Sequence, residues 1–578
     1  MKKALLLVVA LFFTVFEADA LTVDVTNLSV KNYSTPVVNS FAWAVAQVNG
    51  AGAGTHVIRI MVAGTFNEPE YVPYSITNSN VTIDGTQAPG WACGVPTFFW
   101  NGPGYAPVAY SGNNITIKGM AITGIAMNAS GAGFKLFGCW IGLNNTGTAS
   151  SGSTPGSAAI NLTGGTATIG YSSSACGRNI ISSSGVTNCM TISGNGNTIN
   201  GNYFNTGING NTLINSVTGS TIVVQGSNNR IDSNVVLGSA GVGLFGAIAV
   251  NGASNVLNIN YNYIGVNKGG TLSNGVAGYG NAGFGIYTSG SVTGASFMTG
   301  NVISNNKQSG ISMEGTVNGL TINNNIVGLP GTGIHATTIY GNGDSGIRAS
   351  GTSFNITALS INNNTVCNSG FVNSATNAAT NSGIIFNGSA GTAINSVSVT
   401  NNYTGVDRSF NLAGNKFPGI YFFMCGTMGG SNAANVLVQN NVVGDNGQFA
   451  ATPSNGIATY SSSYFTIDNN YVGIGPGGQN IGNVSNGIEI SSSTNFIITN
   501  NNIQNNKGLR TSAVAEACGG IITFQSSLGT IQNNNVSNNL NAGGGFVTNH
   551  GIVVQQGGQI LIGGTGASQP NIINSNGT

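Results

Sequence analysis

The stretch FTIDNNYVGIGPGGQNIGNVSNGIEISSSTNFIITNNNI (465–503) decides the fold. It begins and ends with the same unit, in which alternating apolar residues are followed by asparagines and a second short apolar piece. Between the two copies lies a Gly-Ile pair that opens another alternating segment. Alternation with a period of two is typical of half-buried β-strands, and asparagine favours tight bends. The stretch therefore predicts three short strands for each repeat of the unit.

The unit recurs along the chain, from NTINGNYF (197–204) to GTIQNNNV (529–536). The isoleucines of the Gly-Ile pairs are Ile286, Ile311, Ile347, Ile384, Ile420, Ile457, Ile488, Ile521 and Ile552. The shortest spacing, 25 residues between the first two, fits one three-strand coil of a solenoid. The longer spacings predict loops between the asparagine motif and the next Gly-Ile pair, at 142–159, 265–284, 328–345, 405–418, 444–455 and 473–486. Because one-sided insertions often form the binding face of a repeat protein, we expect partner contacts there.

The asparagines of the motif form a column, one at the same bend in each coil. Asparagine tolerates the left-handed backbone conformation, and stacked amides can hydrogen-bond along a column. A sugar-binding ladder is the functional alternative, but a residue that recurs at every bend favours the structural role. The predicted ladder consists of Asn202, Asn234, Asn262, Asn301, Asn325, Asn364, Asn402, Asn441, Asn470, Asn502 and Asn535.

The first residues indicate secretion. Lys2 and Lys3 precede the apolar run 4–16, and Ala18 and Ala20 give the small-x-small pattern of a cleavage site, so residues 1–20 are predicted to be a signal peptide cleaved after Ala20. The alternative, a membrane anchor, is disfavoured because the run is too short for a hydrocarbon core about 30 Å thick. We expect a secreted protein, either extracellular or on the cell surface.

Three regions follow from these patterns. After the signal peptide, residues 21–56 are expected to form an N-terminal cap, with a short helix in SFAWAVAQVN (40–49). Residues 57–578 are expected to form the solenoid. The coil pattern stops within 561–578 without a cap, which predicts that the sequence is a fragment of a longer protein or that partner chains cover this end.

Composition excludes several classes of partner. Only 5% of the residues are charged and the net charge is +1, which argues against nucleic-acid binding. No run of 18 apolar residues follows the signal, so no membrane-spanning helix is expected. The seven cysteines lack zinc-type spacing and most are expected to be buried, so neither a metal nor a cofactor is predicted; oligomeric state and disulfide pairing stay open.

With these motifs, the chain resembles bacterial secreted proteins of the pectin-lyase-like superfamily. The Φ-x-Φ-x-Asn-Asn-x-Φ unit (Φ, apolar) with Gly-Ile resembles their repeat, and the segment 57–91 resembles their first coils. Phe41-Ala42-Trp43 departs from the Ser-Leu-Arg motif of their cap helix. The resemblance implies an all-β fold, a right-handed parallel β-helix of three strands per coil with a short capping helix. It implies no single activity, because the superfamily includes lyases, hydrolases, adhesins and stalks.

Catalytic motifs of the family are missing from the sequence. It contains neither the acidic and Gly-His-Gly motifs of pectin hydrolases nor the Arg-x-Pro-x-x-Arg element of pectate lyases. The densest titratable group comprises Glu314, His335, Asp344 and Arg348, which we interpret as a surface ion pair between coils, with an acid–base site as the alternative.

The sequence thus predicts a non-catalytic adhesive or structural protein whose partner is an extracellular polysaccharide or another cell surface. The alternative is a polysaccharide lyase or glycoside hydrolase with an unfamiliar site. Ice binding ranks lower, because threonines do not recur with the coil.

Overall fold

The structure is a computed structural model of the 578-residue chain. It describes residues 20–577 except 30–34, 69–74, 103, 105–106, 152–157, 183–184, 273–279, 337–339, 352–354, 371–380, 389–392, 426–434, 448–453, 509–517, 541–548, 565 and 567–568. The predicted signal peptide, apart from Ala20, lies outside the described residues.

Three parallel β-sheets run along the solenoid; sheet 2 begins at Thr22, sheet 3 at Gly64 and sheet 1 at Val108, and some coils contribute two strands to sheet 2. Sheet 1, which contains the Gly-Ile strands, comprises Val108–Tyr110, Met127–Ala129, Ala158–Leu162, Asn188–Ile192, Ile222–Val224, Gly246–Val250, Phe284–Thr288, Ile311–Met313, Ile347–Ser350, Ile384–Asn387, Ile420–Phe423, Ile457–Tyr460, Ile488–Ser491, Cys518–Phe524 and Asn549–Gln555.

Sheet 2 holds the Φ-x-Φ strands. It comprises Thr22–Val25, His56–Ile60, Val81–Asp84, Thr116–Lys118, Lys135–Phe137, Thr168–Ile169, Thr198–Asn200, Arg230–Asp232, Ser254–Asn255, Asn258–Asn260, Val292–Thr293, Ser296–Thr299, Val317–Asn318, Leu320–Asn323, Asn355–Asn362, Ala393–Thr400, Val436–Gln439, Ser463–Asp468, Thr494–Thr499, Ser527–Gln532 and Gly558–Ile562.

Sheet 3 holds the strands that follow the asparagines. It comprises Gly64–Asn67, Phe98–Asn101, Ala121–Thr123, Trp140–Ile141, Ile180–Ile181, Tyr203–Phe204, Val235–Val236, Tyr263–Ile264, Val302–Ile303, Ile326–Val327, Thr365–Val366, Tyr403–Thr404, Val442–Val443, Tyr471–Val472, Asn502–Gln504, Asn535–Ser537 and Ile572–Asn574.

The predicted repeat sets the strand register. The Gly-Ile isoleucines pair with one another from Ile286 to Ile552. From Ile286 to Ile521 they are fully buried in a core that extends along the solenoid. Parallel strands joined by crossovers wind in a right-handed sense in nearly all proteins. The predicted right-handed parallel β-helix is confirmed.

A helix covers the first coils, as predicted. It spans Phe41–Gly50 and is capped by Ser40, whose hydroxyl accepts a hydrogen bond from the Trp43 N–H at 3.3 Å. The ring of Phe41 packs 4.8 Å from that of Trp100. Sheet 2 begins earlier than expected, because Thr22–Val25, inside the predicted cap region 21–56, pairs with His56–Ile60. Two short 3₁₀ helices occupy Gly85–Gln87 and Ala175–Gly177, and no helix in the described ranges has the length and apolar character needed to cross a membrane.

Cysteines serve the core, as expected for most of them. Cys139, Cys189, Cys367 and Cys425 are buried thiols, whereas Cys93 and Cys176 form a disulfide. Burial raises the pKa of Cys139 and Cys425 to about 12, so these thiols stay protonated and unreactive at neutral pH.

A ladder of buried asparagines connects the coils at the bend between sheets 2 and 3. Each side-chain N–H donates to the Oδ1 of the next asparagine at 2.9–3.0 Å; Asn364, for example, donates to Asn402 at 3.0 Å. The members are Asn179, Asn202, Asn234, Asn262, Asn301, Asn325, Asn364, Asn402, Asn441, Asn470, Asn501, Asn534 and Asn571.

The predicted ladder needs two corrections. Asn501 and Asn534 occupy the ladder, whereas Asn502 and Asn535 are the first residues of sheet 3 strands. Three successive asparagines in each of these coils concealed the register. The left-handed conformation also belongs to the residue before the ladder, such as Asn363 at φ 56°, so the ladder asparagine is selected for its amide and not for its backbone.

A second asparagine ladder, which was not predicted, runs along the corner before sheet 1. Asn281 donates to Asn306 at 2.9 Å, and the same contact recurs further along the chain. Its side chain-to-side chain bonds connect Asn281, Asn306 and Asn342, and then Asn415, Asn446, Asn483, Asn506, Asn539 and Asn576. Several of these asparagines lie five residues before a Gly-Ile isoleucine, a spacing visible in the sequence.

Adjacent asparagines test the first ladder. Asn501 is buried and its Nδ2 donates to Ile467 O, Thr499 O and Asn534 Oδ1 at 2.8–2.9 Å. Asn501→Val should lower the free energy of unfolding by about 1–3 kcal/mol for each buried partner left unsatisfied. Denaturant unfolding would measure the change.

Asn502→Val is the matched control. Asn502 aligns with Tyr471 and, one coil earlier, with Val442, so valine already occupies this position of sheet 3. We expect a change within about 0.5 kcal/mol. A larger loss at Asn502 than at Asn501 would show that the ladder register is off by one residue.

Candidate functional site

Loops cover the outer face of sheet 3. Val266 packs with Val302 of this sheet, and Val406 packs with Val442. Successive loops also contact one another: the Gly331 N–H donates to the Gly270 carbonyl at 2.8 Å. The described parts of the predicted binding loops therefore bury an apolar surface of the solenoid, which gives their one-sided placement a structural reason.

The outer face of sheet 2 carries a column of polar side chains in the later coils. Seven polar residues align on successive strands and are half-buried, so their side chains face outward: Asn323, Asn362, Thr400, Gln439, Asp468, Thr499 and Gln532.

Asp468 is a carboxylate on this face. Its oxygens accept hydrogen bonds from Gln439 at 2.7 Å, Thr499 at 2.9 Å and Asn500 at 2.6 Å. Partial burial acts to raise the pKa of Asp468, but these three hydrogen bonds outweigh burial and the net pKa lies below its ordinary value. The residue therefore remains ionised through neutral pH.

The outer face of sheet 1 carries an aromatic cluster. The residues one and three positions after the Gly-Ile isoleucine point away from the core. Tyr421 and Phe423 occupy these positions in one coil and lie beside Tyr460 of the next coil. The Phe423 and Tyr460 rings stack at 5.3 Å with an interplanar angle of 9°, and Tyr421 lies 6.1 Å from Phe423. Tyr460 is 42% exposed. The aromatic cluster, Tyr421, Phe423 and Tyr460, thus presents ring surface to solvent.

Glu489 stands at the edge of the aromatic cluster, on the strand next to Ala458. Its Oε2 accepts hydrogen bonds from the amides of Asn455 at 3.0 Å and Asn486 at 2.9 Å. These amides hold the carboxylate in one orientation. Burial, followed by the charge of Glu489, raises the pKa of Tyr421, which keeps this phenol protonated as a hydrogen-bond donor.

Two of the four predicted site residues meet on the same face. Arg348 Nη2 lies 3.6 Å from Glu314 Oε1, and the Tyr287 hydroxyl donates to Glu314 Oε2 at 3.1 Å. Burial and the neighbouring Glu314 raise the pKa of Tyr287. A phenol that holds its proton so firmly is a poor general base.

The other two residues lie elsewhere. The backbone N–H of His335 donates to Asp407 Oδ2 at 2.8 Å, in the loops that flank sheet 3. Asp344 precedes the strand Ile347–Ser350, whereas Glu314 follows the neighbouring strand Ile311–Met313. Because the strands are parallel, the two carboxylates lie at opposite strand ends. His335 and Asp344 therefore do not join Glu314 and Arg348 in one acid–base site.

Among the described residues, the two carboxylates that face outward from sheet 1 are far apart. Glu314 and Glu489 are five strands apart, about 24 Å at the spacing of neighbouring strands. Paired carboxylates of glycosidases lie within roughly 5–9.5 Å. In the described part of the chain, no group of three His, Cys, Asp or Glu side chains could hold a metal ion.

Sequence analysis singled out none of Tyr421, Phe423, Tyr460 and Glu489 as site residues. Their signal is the position relative to the Gly-Ile isoleucine: Ile420 precedes Tyr421 and Phe423, and Ile488 precedes Glu489. An alignment of the coils on that isoleucine places all four residues on one face.

No protein-family model matches the chain, and no curated protein matches it by sequence. Solved structures do match. The periplasmic alginate epimerase AlgG aligns at 13% identity with a TM-score of 0.32, covering 76% of each chain. A mutant tailspike protein of E. coli bacteriophage HK620 aligns at 12% identity with a TM-score of 0.38, covering 83% of this chain and 73% of the tailspike chain. Pectate lyase Pel9A aligns at 13% identity with a TM-score of 0.24, covering 86% of this chain and 82% of the lyase chain.

All three similarities concern the fold. The TM-scores are low, so the assignment rests on the three parallel sheets of this chain. The resemblance to the pectin-lyase-like superfamily is confirmed at that level alone.

The lowered pKa of Asp468 predicts that the stability of the protein depends on pH. Because its pKa is depressed in the folded protein, its stabilising effect is complete above the unfolded pKa of about 3.9 and disappears as pH falls through the folded pKa. Asp468→Asn should lower the unfolding temperature at pH 7, and this difference from the wild type should disappear at a pH below the folded pKa. Asn362→Ala, in the same column but without a carboxylate, should show no such trend; parallel curves for both variants would contradict this role.

Proposed function

We propose that the protein is a secreted or cell-surface, non-catalytic β-helix protein that binds a polysaccharide along the open face of sheet 1. The aromatic cluster carries the proposal. Its stacked rings offer apolar surface to the C–H faces of sugar rings, and the Tyr421 hydroxyl and Glu489 carboxylate supply hydrogen-bonding groups at its edge. A few oriented polar groups beside apolar surface are typical of ligand sites.

The arrangement of charges supports a binding role over catalysis. The Glu314 carboxylate is engaged with Arg348 and Tyr287, and the Glu489 carboxylate is engaged with amides. Among the described residues, neither has a second carboxylate within catalytic distance on this face. An adhesive or structural function requires the extended face and no reacting group.

Loss of the aromatic cluster should abolish binding. The variant Tyr421→Ala/Phe423→Ala/Tyr460→Ala should lose retention in affinity electrophoresis through gels containing the polysaccharides that the wild-type protein binds. Tyr464→Ala is the matched control, because Tyr464 is also 42% exposed but lines a cavity on sheet 2. Equal retention of the triple variant and the wild type would contradict the assignment of the face.

Incubation with polysaccharides tests the non-catalytic role. We expect the wild-type protein to leave pectins, alginate, glycosaminoglycans and neutral glycans unchanged in chain length, unsaturation and epimer composition. Turnover of any of them that is lost in Glu314→Ala would establish the enzyme alternative, with the Glu314–Arg348 pair as its centre.

A further inference from the structure

A separate pocket lies on the outer face of sheet 2, far along the solenoid from the aromatic cluster. Its volume is about 360 Å³, within the range of roughly 300–1,000 Å³ common for small-molecule sites. Three neighbouring strands build it, with Arg230, Asn258 and Phe297 in register. The Tyr261 pocket is lined by Arg230, Asn258, Asn260, Tyr261, Phe297 and Thr299.

The backbone at Tyr261 is in an unfavourable conformation. Tyr261 has φ 57°, in the left-handed region that bulky residues avoid. Equivalent positions in the neighbouring coils hold Ser233, Gly300 and Asn324, residues better suited to such a bend. Positive φ is not peculiar to Tyr261, because Val256, Phe410, Tyr464 and Leu528 share it, so the case for a site rests on the pocket that the Tyr261 ring borders.

The next coil accommodates the tyrosine ring. A Cβ atom at Gly300 would lie 2.6 Å from Cδ1 and Cε1 of Tyr261, so the ring rests directly on the glycine. Tyr261 is nevertheless 59% exposed, and Phe297 is 40% exposed. Two aromatic side chains therefore border the pocket, one of them held in place by a residue that has no side chain.

Arg230 is the charged residue in the lining of the Tyr261 pocket. Its Nε pairs with Asp232, whose side chain is 4% exposed, while the Arg230 side chain is 59% exposed. Among the described residues, the two terminal nitrogens of Arg230 make no hydrogen bond, so four of its N–H groups stay available. The buried Asp232 orients the guanidinium from below, and the free edge can form the paired hydrogen bonds that carboxylates and sulfates accept.

We propose that the Tyr261 pocket binds one sugar residue that carries an anionic group, a carboxylate or a sulfate ester. The guanidinium of Arg230 binds the anion, the rings of Tyr261 and Phe297 contact the C–H faces of the sugar, and the amides of Asn258 and Asn260 bind hydroxyls. The cavity on the same sheet near Tyr464 has no charged residue in its lining and lacks this selectivity.

The test uses the full chain and three defined probes in titration calorimetry. Oligogalacturonides carry carboxylates, carrageenan oligosaccharides carry sulfates without carboxylates, and cellotetraose is neutral. We expect wild-type protein to bind at least one anionic probe, and the anionic probe that binds identifies the source of the anion. No binding of either anionic probe, or equal affinity for cellotetraose, overturns the proposal.

Two variants locate the binding. Arg230→Gln should weaken anionic binding at least about tenfold, as for loss of a hydrogen bond to a charged group. Because this change also leaves Asp232 buried without its partner, Tyr261→Asn provides the second arm. It removes the ring, introduces the residue that other coils use at this bend, and should raise the unfolding temperature while weakening binding.

Tyr464→Ala controls for the loss of an exposed tyrosine with positive φ, here 58°. It should bind the anionic probe as the wild type does. Undiminished affinity in both Arg230→Gln and Tyr261→Asn overturns the assignment of this pocket. Because the aromatic cluster on sheet 1 is untouched, this result leaves the proposed function of that face standing.

Discussion

The buried amide of the ladder asparagine must find all of its hydrogen-bond partners inside the protein, and the coil geometry depends on that requirement. In Asn364, one Nδ2 contact reaches Ile322 in the coil before and another reaches Asn402 in the coil after. Each bend is thereby fixed to both neighbours. An insertion at this corner would disturb three coils at once. The long insertions lie at the other two corners: before sheet 1, and between sheets 1 and 2, where 12 residues separate Phe423 from Val436 but two separate Ser491 from Thr494.

The second ladder fixes the register of the chain where an asparagine lies five residues before the Gly-Ile isoleucine, as Asn306, Asn342 and Asn415 do. Asn306 and Asn342 join at the point where the chain re-enters sheet 1, whatever the length of the preceding loop. The following Gly-Ile pair then returns the isoleucine to the core. Loops pack on sheet 3, whereas both proposed binding sites lie on sheets 1 and 2, where Tyr460 and Tyr261 are exposed.

Much of this architecture could be predicted from the sequence, because strand alternation and the Gly-Ile spacing are local patterns. The pairing of the Gly-Ile isoleucines from coil to coil followed directly. Whether Asn501 or Asn502 belongs to the ladder could not be predicted, because adjacent asparagines differ only in which one the bend turns inward. The aromatic cluster could not be predicted for another reason: Phe423 and Tyr460 are 37 residues apart in the sequence and come into contact only when the coils stack.

The ladders also give the solenoid an electrical direction. One side-chain N–H of each ladder amide, from Asn179 to Asn534 in the first ladder, donates to the Oδ1 of the asparagine in the next coil, while Nδ2 also donates to a backbone carbonyl of the coil before, as at Asn364. Dipoles aligned head to tail polarise one another and add along the axis, as peptide dipoles do in an α-helix. A rod with a net charge of +1 therefore still carries a lengthwise field, and an ion or a second rod approaching along its axis would meet two chemically different poles.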